Sequence, residues 1–139
     1  MNSTDKTVAE QSLAERIKTA SEGLYYISET DAEVLPFSGS KAESVTREEV
    51  LRQTNSQADA NVEEREFSEI FARLTKIQDW FGDEEKATAE RFSVLKDLLE
   101  KNLRDLKVFK IGNINIDIYF VGLDAENNLM GIQTKAVET

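Results

Sequence analysis

Ile114-Asn115-Ile116-Asp117-Ile118-Tyr119-Phe120-Val121 is the stretch whose reading decides the fold. Ile114, Ile116, Ile118 and Phe120 alternate with Asn115, Asp117, Tyr119 and Val121, the period-two pattern of a strand with one buried face. Gly112-Asn113 in front of it is a tight-turn pair, so Val108–Ile111 is expected to fold back as a hairpin. Behind it, Asp124-Ala125-Glu126-Asn127-Asn128 marks a second turn and Leu129–Val137 a third strand. Three strands joined this way form an antiparallel meander with an apolar face that needs a cover. The sequence closes on Glu138-Thr139 directly after the third strand, which places Thr139 beside a rigid element.

A chain of 139 residues fits one domain, expected here over 1–139 with residues 1–6 as a flexible tail. Its 40% hydrophobic content supports a core, and no apolar run reaches the roughly 20 residues of a membrane span. No apolar segment follows Met1–Lys6 that would serve as a signal peptide, and a cytoplasmic location is expected. The absence of cysteine excludes disulfides and thiolate chemistry. The absence of histidine removes the commonest general base and the commonest transition-metal ligand. The net charge is −10 and unevenly placed: residues 1–70 hold 15 Asp/Glu against 7 Lys/Arg, residues 71–139 hold 12 against 10. Such a surface repels phosphate backbones and anionic membranes and attracts basic partners. Plain solubility explains the same charge.

Upstream of the meander the chain reads as helices and one edge strand. Thr7-Val8-Ala9-Glu10 is a capping box, and Leu13, Ile17, Ala20 and Leu24 form one apolar face behind it, stopped at Gly23. The apolar Leu24-Tyr25-Tyr26-Ile27 precedes the polar run Ser28-Glu29-Thr30-Asp31. Val34–Phe37 reads as a short strand confined to a sheet edge by Pro36, with Ser38-Gly39-Ser40 as a loop. Thr46 to Glu49 is a second capping box, opening a helix to about Gln53. Thr54 to Asn61 has no periodicity. The acidic Glu63–Glu66 then approaches a helix marked by Phe67, Ile70, Phe71 and Leu74. Asp83 is the expected N-cap of the longest helix, with Glu84 and Glu85 on its positive end and Lys101 and Arg104 at its close. Phe92, Leu95, Leu99 and Leu103 are its core stripe, widened by Val94 and Leu98. The order gives an α+β fold with helices on both faces of one sheet.

Four groups carry possible chemistry, each beside a plainer explanation. Asp79-Trp80 with Asp83, Glu84 and Glu85 sets carboxylates beside a large aromatic; the plainer explanation is a helix cap with a half-buried Trp. Ser28–Asp31 suits a metal or a basic partner, or is a solvated turn. Glu63–Glu69 is a solvated approach to a helix. Asp117 sits on a polar strand face and pairs across to Lys135. No Gly-rich phosphate loop is present, and without His or Cys no nucleophilic triad can form. Carboxylate-only hydrolysis would need two Asp/Glu, and no pair stands out.

A family resemblance narrows these alternatives. Ala20-Ser21-Glu22-Gly23-Leu24, Ser28-Glu29, Leu51 with Gln53-Thr54, and Gln78-Asp79-Trp80 with Asp83-Glu84-Glu85 occur in this order. Phe92, Asn102-Leu103, Asn128-Leu129, Gly131-Ile132, Thr134-Lys135 and Val137-Glu138-Thr139 follow. From about residue 15 to the last residue, the chain resembles the NuiA-type inhibitors of sugar-non-specific nucleases. The resemblance implies a three-layer α/β/α sandwich like that of the class 1 plant pathogenesis-related proteins, and no enzymatic activity. It also implies that Glu29 reaches the catalytic metal ion of a nuclease, with Asp79, Trp80 and Thr139 at the interface. The expected partner is a sugar-non-specific DNA/RNA endonuclease, bound by a monomer in a 1:1 complex. No cofactor, direct nucleic-acid contact or membrane association is expected. The runner-up is an acidic binding module of the same fold for another basic protein.

Overall fold

A computed structural model describes residues 12–139. The capping box expected at Thr7 and the tail expected over residues 1–6 lie outside the described residues. The first described helix, α1 (Leu13–Ser21), opens on its own capping box, in which Ser12 Oγ accepts from the Glu15 N–H and Glu15 accepts from the Ser12 N–H. Gly23, at φ +76°, turns the chain out of α1. Two short strands then pair as an antiparallel hairpin, β1 (Tyr25–Ile27) and β2 (Asp31–Glu33).

The remaining strands build one antiparallel sheet. They are β3 (Leu35–Lys41), β4 (Val62–Glu66), β5 (Arg104–Ile111), β6 (Asn115–Leu123) and β7 (Asn128–Val137), in the order β3-β7-β6-β5-β4. The meander β5–β6–β7 lies at its centre as the sequence leads one to expect, and the Pro36 strand lies on its edge. Two elements differ from the sequence reading. Ser38-Gly39-Ser40 continues β3, because Ser38 and Lys41 pair with Met130 and Asn128 of β7, and at the irregularity between them Gln53 accepts from the Ser40 N–H at 2.7 Å and donates back to its carbonyl at 3.1 Å. The acidic approach Glu63–Glu66 is an edge strand, its backbone paired to Lys107–Lys110; charge there suits a strand whose outer edge faces water.

Three helices connect or flank these strands: α2 (Arg47–Gln53), α3 (Phe67–Thr75) and α4 (Asp83–Asn102). Thr46 caps α2 by accepting from the Glu49 N–H. The cap of α4 is Gly82, one residue before the expected Asp83, with Glu85 reaching back to the Gly82 N–H at 2.9 Å. Arg104, expected at the close of α4, opens β5 instead.

The alternation along β6 divides the core in two. Ile116, Ile118 and Phe120 face Ile17 of α1, Phe71 of α3, and Phe92, Leu95 and Leu99 of α4. Val121 and Leu123 face the other way, with Phe109 and Leu129, against Val50 and Leu51 of α2. Helices thus cover both faces of the sheet, a three-layer α+β arrangement. Phe71 locks the thicker layer: its ring lies 4.6 Å from Phe67, 5.4 Å from Phe120 and 6.3 Å from Phe92, joining α3, α4 and β6. Val94, expected to widen the α4 stripe, is exposed, since the sheet lies under its other flank.

Gly131 sits opposite Val121 in the β6–β7 ladder, with the β6 backbone close beside it. A methyl group there would lie 1.8 Å from the Phe120 carbonyl oxygen, which is backbone and cannot step aside. Gly131→Ala is expected to destabilise the protein by at least about 2 kcal/mol, as overpacking against backbone does. Urea unfolding of the two chains measures it; equal midpoints would mean that β6 and β7 do not approach this closely.

Candidate functional site

Glu29 occupies the turn of the β1–β2 hairpin, and its local sequence explains its pose. Ser28 organises the turn from both sides: its N–H donates to the Thr30 carbonyl at 2.9 Å, and its hydroxyl to the same oxygen at 3.2 Å. The base of the hairpin is closed where the Val34 N–H meets the Leu24 carbonyl at 2.9 Å. The hairpin is then tied to β7. The Val137 N–H donates to Ser28 Oγ at 3.0 Å, and Thr134 donates its hydroxyl to the Glu33 carbonyl at 2.9 Å.

These ties bring together two residues that the sequence offered separately. The Thr139 N–H donates to Glu29 Oε2 at 2.7 Å, and the Thr139 hydroxyl lies 2.9 Å from both carboxylate oxygens. The carboxylate is exposed, so these donors, and not burial, set its behaviour. The backbone N–H of Thr139, and after it the hydroxyl, hold the Glu29 pKa below the usual glutamate range. Its charge is therefore fixed in place as well as present at neutral pH.

Trp80 stands on a second segment of the same surface. It is 73% exposed, so the Trp is not half-buried, although the acidic cluster after it does supply a helix cap through Glu85. Its ring meets Phe81 edge-on at 4.7 Å between centroids. Asp79 is exposed one residue before it, in a turn closed by the Phe81 N–H to the Gln78 carbonyl at 3.1 Å. A groove of about 570 Å³ connects this turn with the hairpin, lined by Trp80, Phe81 and Phe92 on one side and by Tyr25, Ile27 and Asp31 on the other. Ile27 and Asp31 are the pair that flanks the Glu29 turn. Glu84 and Glu85 complete the acidic wall of the groove, while Arg73 and Lys76 set positive charge within it.

The sequence reading missed Tyr25 and Ile27, which are 46% and 66% exposed next to Trp80. No local signal marked them: Leu24 and Tyr26 are buried while Tyr25 and Ile27 alternate outward. With apolar residues on both faces, the period-two pattern vanishes. Asp117, by contrast, meets Lys135 across the strands at 2.6 Å, as its polar face suggests, and has a structural partner. Among the described residues no group of three or more carboxylates is placed to hold a metal ion. Among the described residues no helix is long and apolar enough to cross a membrane.

The fold and this surface define a class: a small, acidic, three-layer α/β/α domain whose singled-out carboxylate and aromatic residues lie on an open face. Within that class the chain belongs to the nuclease A inhibitor-like protein family, NuiA, whose family model matches residues 11–139. Comparison with curated proteins gives no significant match.

The clamp has a pH dependence whose sign follows from the lowered pKa. A carboxylate stabilised by folding adds stability at pH above the ordinary glutamate range and loses it as pH falls through the lowered value. Deleting Thr139 is expected to return the Glu29 titration, followed by carboxyl NMR shifts, to the ordinary range. The stability difference between the two chains should vanish in acid. A Glu29 titration that ignores the deletion would contradict the clamp.

Proposed function

We propose that this chain inhibits a sugar-non-specific endonuclease by seating the Glu29 carboxylate, with Thr139 beside it, next to the enzyme's catalytic metal ion. The observation that carries the reading is the convergence of Glu29 and Thr139, 110 positions apart, in one hydrogen-bonded tip; membership in a nuclease-inhibitor family supports it. A nuclease active site holds a divalent cation in a groove shaped for phosphate, and hard cations take charged oxygen ligands. An oriented carboxylate offers that charge without a scissile bond. Asp79 and Trp80 then meet the flank of the groove, with Trp80 as the anchor whose desolvation supplies much of the binding energy. The acidity of residues 1–70, 15 Asp/Glu against 7 Lys/Arg, draws the basic groove inward. In this reading the protein acts in the cytoplasm as a monomer, forms a 1:1 complex, and carries no chemistry of its own.

Inhibition of a broad-specificity, Mg²⁺-dependent endonuclease tests it. Glu29→Gln keeps the shape and removes the charge, and is expected to weaken binding by about 1.5–3 kcal/mol. Neutralising the exposed Glu64 should change it by less than about 0.5 kcal/mol. Equal losses for the two variants would reduce the effect to general acidity and sink the role of Glu29. Trp80→Ala should cost roughly 2 kcal/mol of binding and little thermal stability, because the indole covers little of the core. A melt lowered as much as the affinity would remove it as an anchor.

Association should also slow as salt rises, because charge steering is screened beyond about 8 Å at physiological ionic strength. Stopped-flow rates that stay flat from low to high salt would speak against steering.

A further inference from the structure

Lys110 is a cation enclosed by a fold that exposes most of its charge. It lies on β5 opposite Ile118, on the same side of the sheet as Val108 and the thicker helical layer, and is only 9% exposed. A buried ammonium needs a partner, and the nearest is not on a neighbouring strand. Lys110 reaches across β6 to the residue after β7, where its Nζ lies 2.9 Å from Glu138 Oε2 and 3.2 Å from Oε1. The Glu138 N–H is tied in turn to the Ile114 carbonyl at 2.9 Å. Both ties act on the residue immediately before Thr139, beyond the last strand pairing of β7, Asn115 with Val137.

We propose that Lys110 is a positioning residue for inhibition. It fixes Glu138, and through it the Thr139 N–H and hydroxyl that orient Glu29. The inference rests on the nuclease-inhibitor reading and extends it to a residue that touches no partner. The physical case is one of reach. Without the ion pair, Glu138 is held only by its N–H to the Ile114 carbonyl, and the residue that follows it is free to sample other positions. Lys110 holds the Glu138 carboxylate from an enclosed position, where salt screens the pair less than a fully exposed one. A hydrophobic residue in its place would keep the packing and lose the tether.

Lys110→Met tests this with the full chain against the same Mg²⁺-dependent endonuclease. Inhibition is expected to weaken by at least about tenfold, a change of about 1.4 kcal/mol. Lys110→Arg, which keeps the charge and reach, should restore most of it. In a Glu29→Gln background the Lys110→Met substitution should cost almost nothing further, because the group it positions is already disabled. An equal loss in both backgrounds would mean that Lys110 serves the fold alone, and overturns the proposal. Should Lys110→Met fail to fold, Glu138→Gln carries the same expectations from the exposed side of the pair. Amide exchange of Thr139 in the free protein separates this proposal from the inhibitor reading. Faster exchange in Lys110→Met or Glu138→Gln supports the tether even if the parent chain inhibits nothing, and unchanged exchange overturns it even if the parent inhibits well.

Discussion

The pairing of β6 with β7 is the constraint on which the rest depends. It runs without interruption from Asn115 opposite Val137 to Leu123 opposite Leu129. A one-residue slip would turn Ile116, Ile118 and Phe120 from the α1–α3–α4 layer to the α2 layer and leave both cores unfilled. Gly131 is fixed in the same ladder by its approach to the Phe120 carbonyl. Because the ladder cannot slip, the residues after Val137 emerge at one place only, beside the hairpin that carries Glu29. A packing constraint in the centre of the sheet thus determines where a charged group sits on the surface.

Electrostatics does the remaining placement. Glu29 has no burial to hold it, and its orientation comes from the two Thr139 donors and from Ser28, which shapes the turn and accepts from the Val137 N–H. The tip is therefore hydrogen-bonded both to its own turn and to the end of β7. On the far side of the groove, Trp80 has little beneath it except Phe81 and stays in water. With Tyr25 and Ile27 across the groove it forms an exposed apolar patch and not a lone surface aromatic. The groove between the two is apolar where Tyr25 and Ile27 line it and carries both signs of charge, acidic at Asp31, Glu84 and Glu85 and basic at Arg73 and Lys76.

Much of this was legible in the sequence where one period dominated. Ile116, Ile118 and Phe120 announced β6, although Ile114, read with them, lies before the strand and is exposed; Phe92, Leu95 and Leu99 announced the buried stripe of α4, and Pro36 put its strand on an edge. What stayed hidden was structure fixed by distant partners. Glu63–Glu66 has no apolar alternation, and only the β5 backbone makes it a strand. Ser38-Gly39-Ser40 has the composition of a loop and becomes strand because it pairs with β7, with Gln53 bonding the backbone where the register shifts. Val94 looked like core because it neighbours the stripe, although the helix turns it to water. Glu29, Asp79, Trp80 and Thr139 were singled out as individual residues. Their arrangement, with Glu29 held by Thr139 and Trp80 across a groove from Tyr25 and Ile27, depends on tertiary pairing that no local pattern encodes.

The central claim is that the Glu29–Thr139 tip enters the metal-holding groove of a nuclease. A crystal structure of the protein bound to a catalytically disabled, Mg²⁺-loaded sugar-non-specific endonuclease tests it most directly. The account predicts the Glu29 carboxylate within reach of the ion, directly or through one shared water, with Trp80 buried at the flank of the groove. A complex in which Glu29 faces solvent, or in which the nuclease binds the α2 side of the sheet, would contradict it.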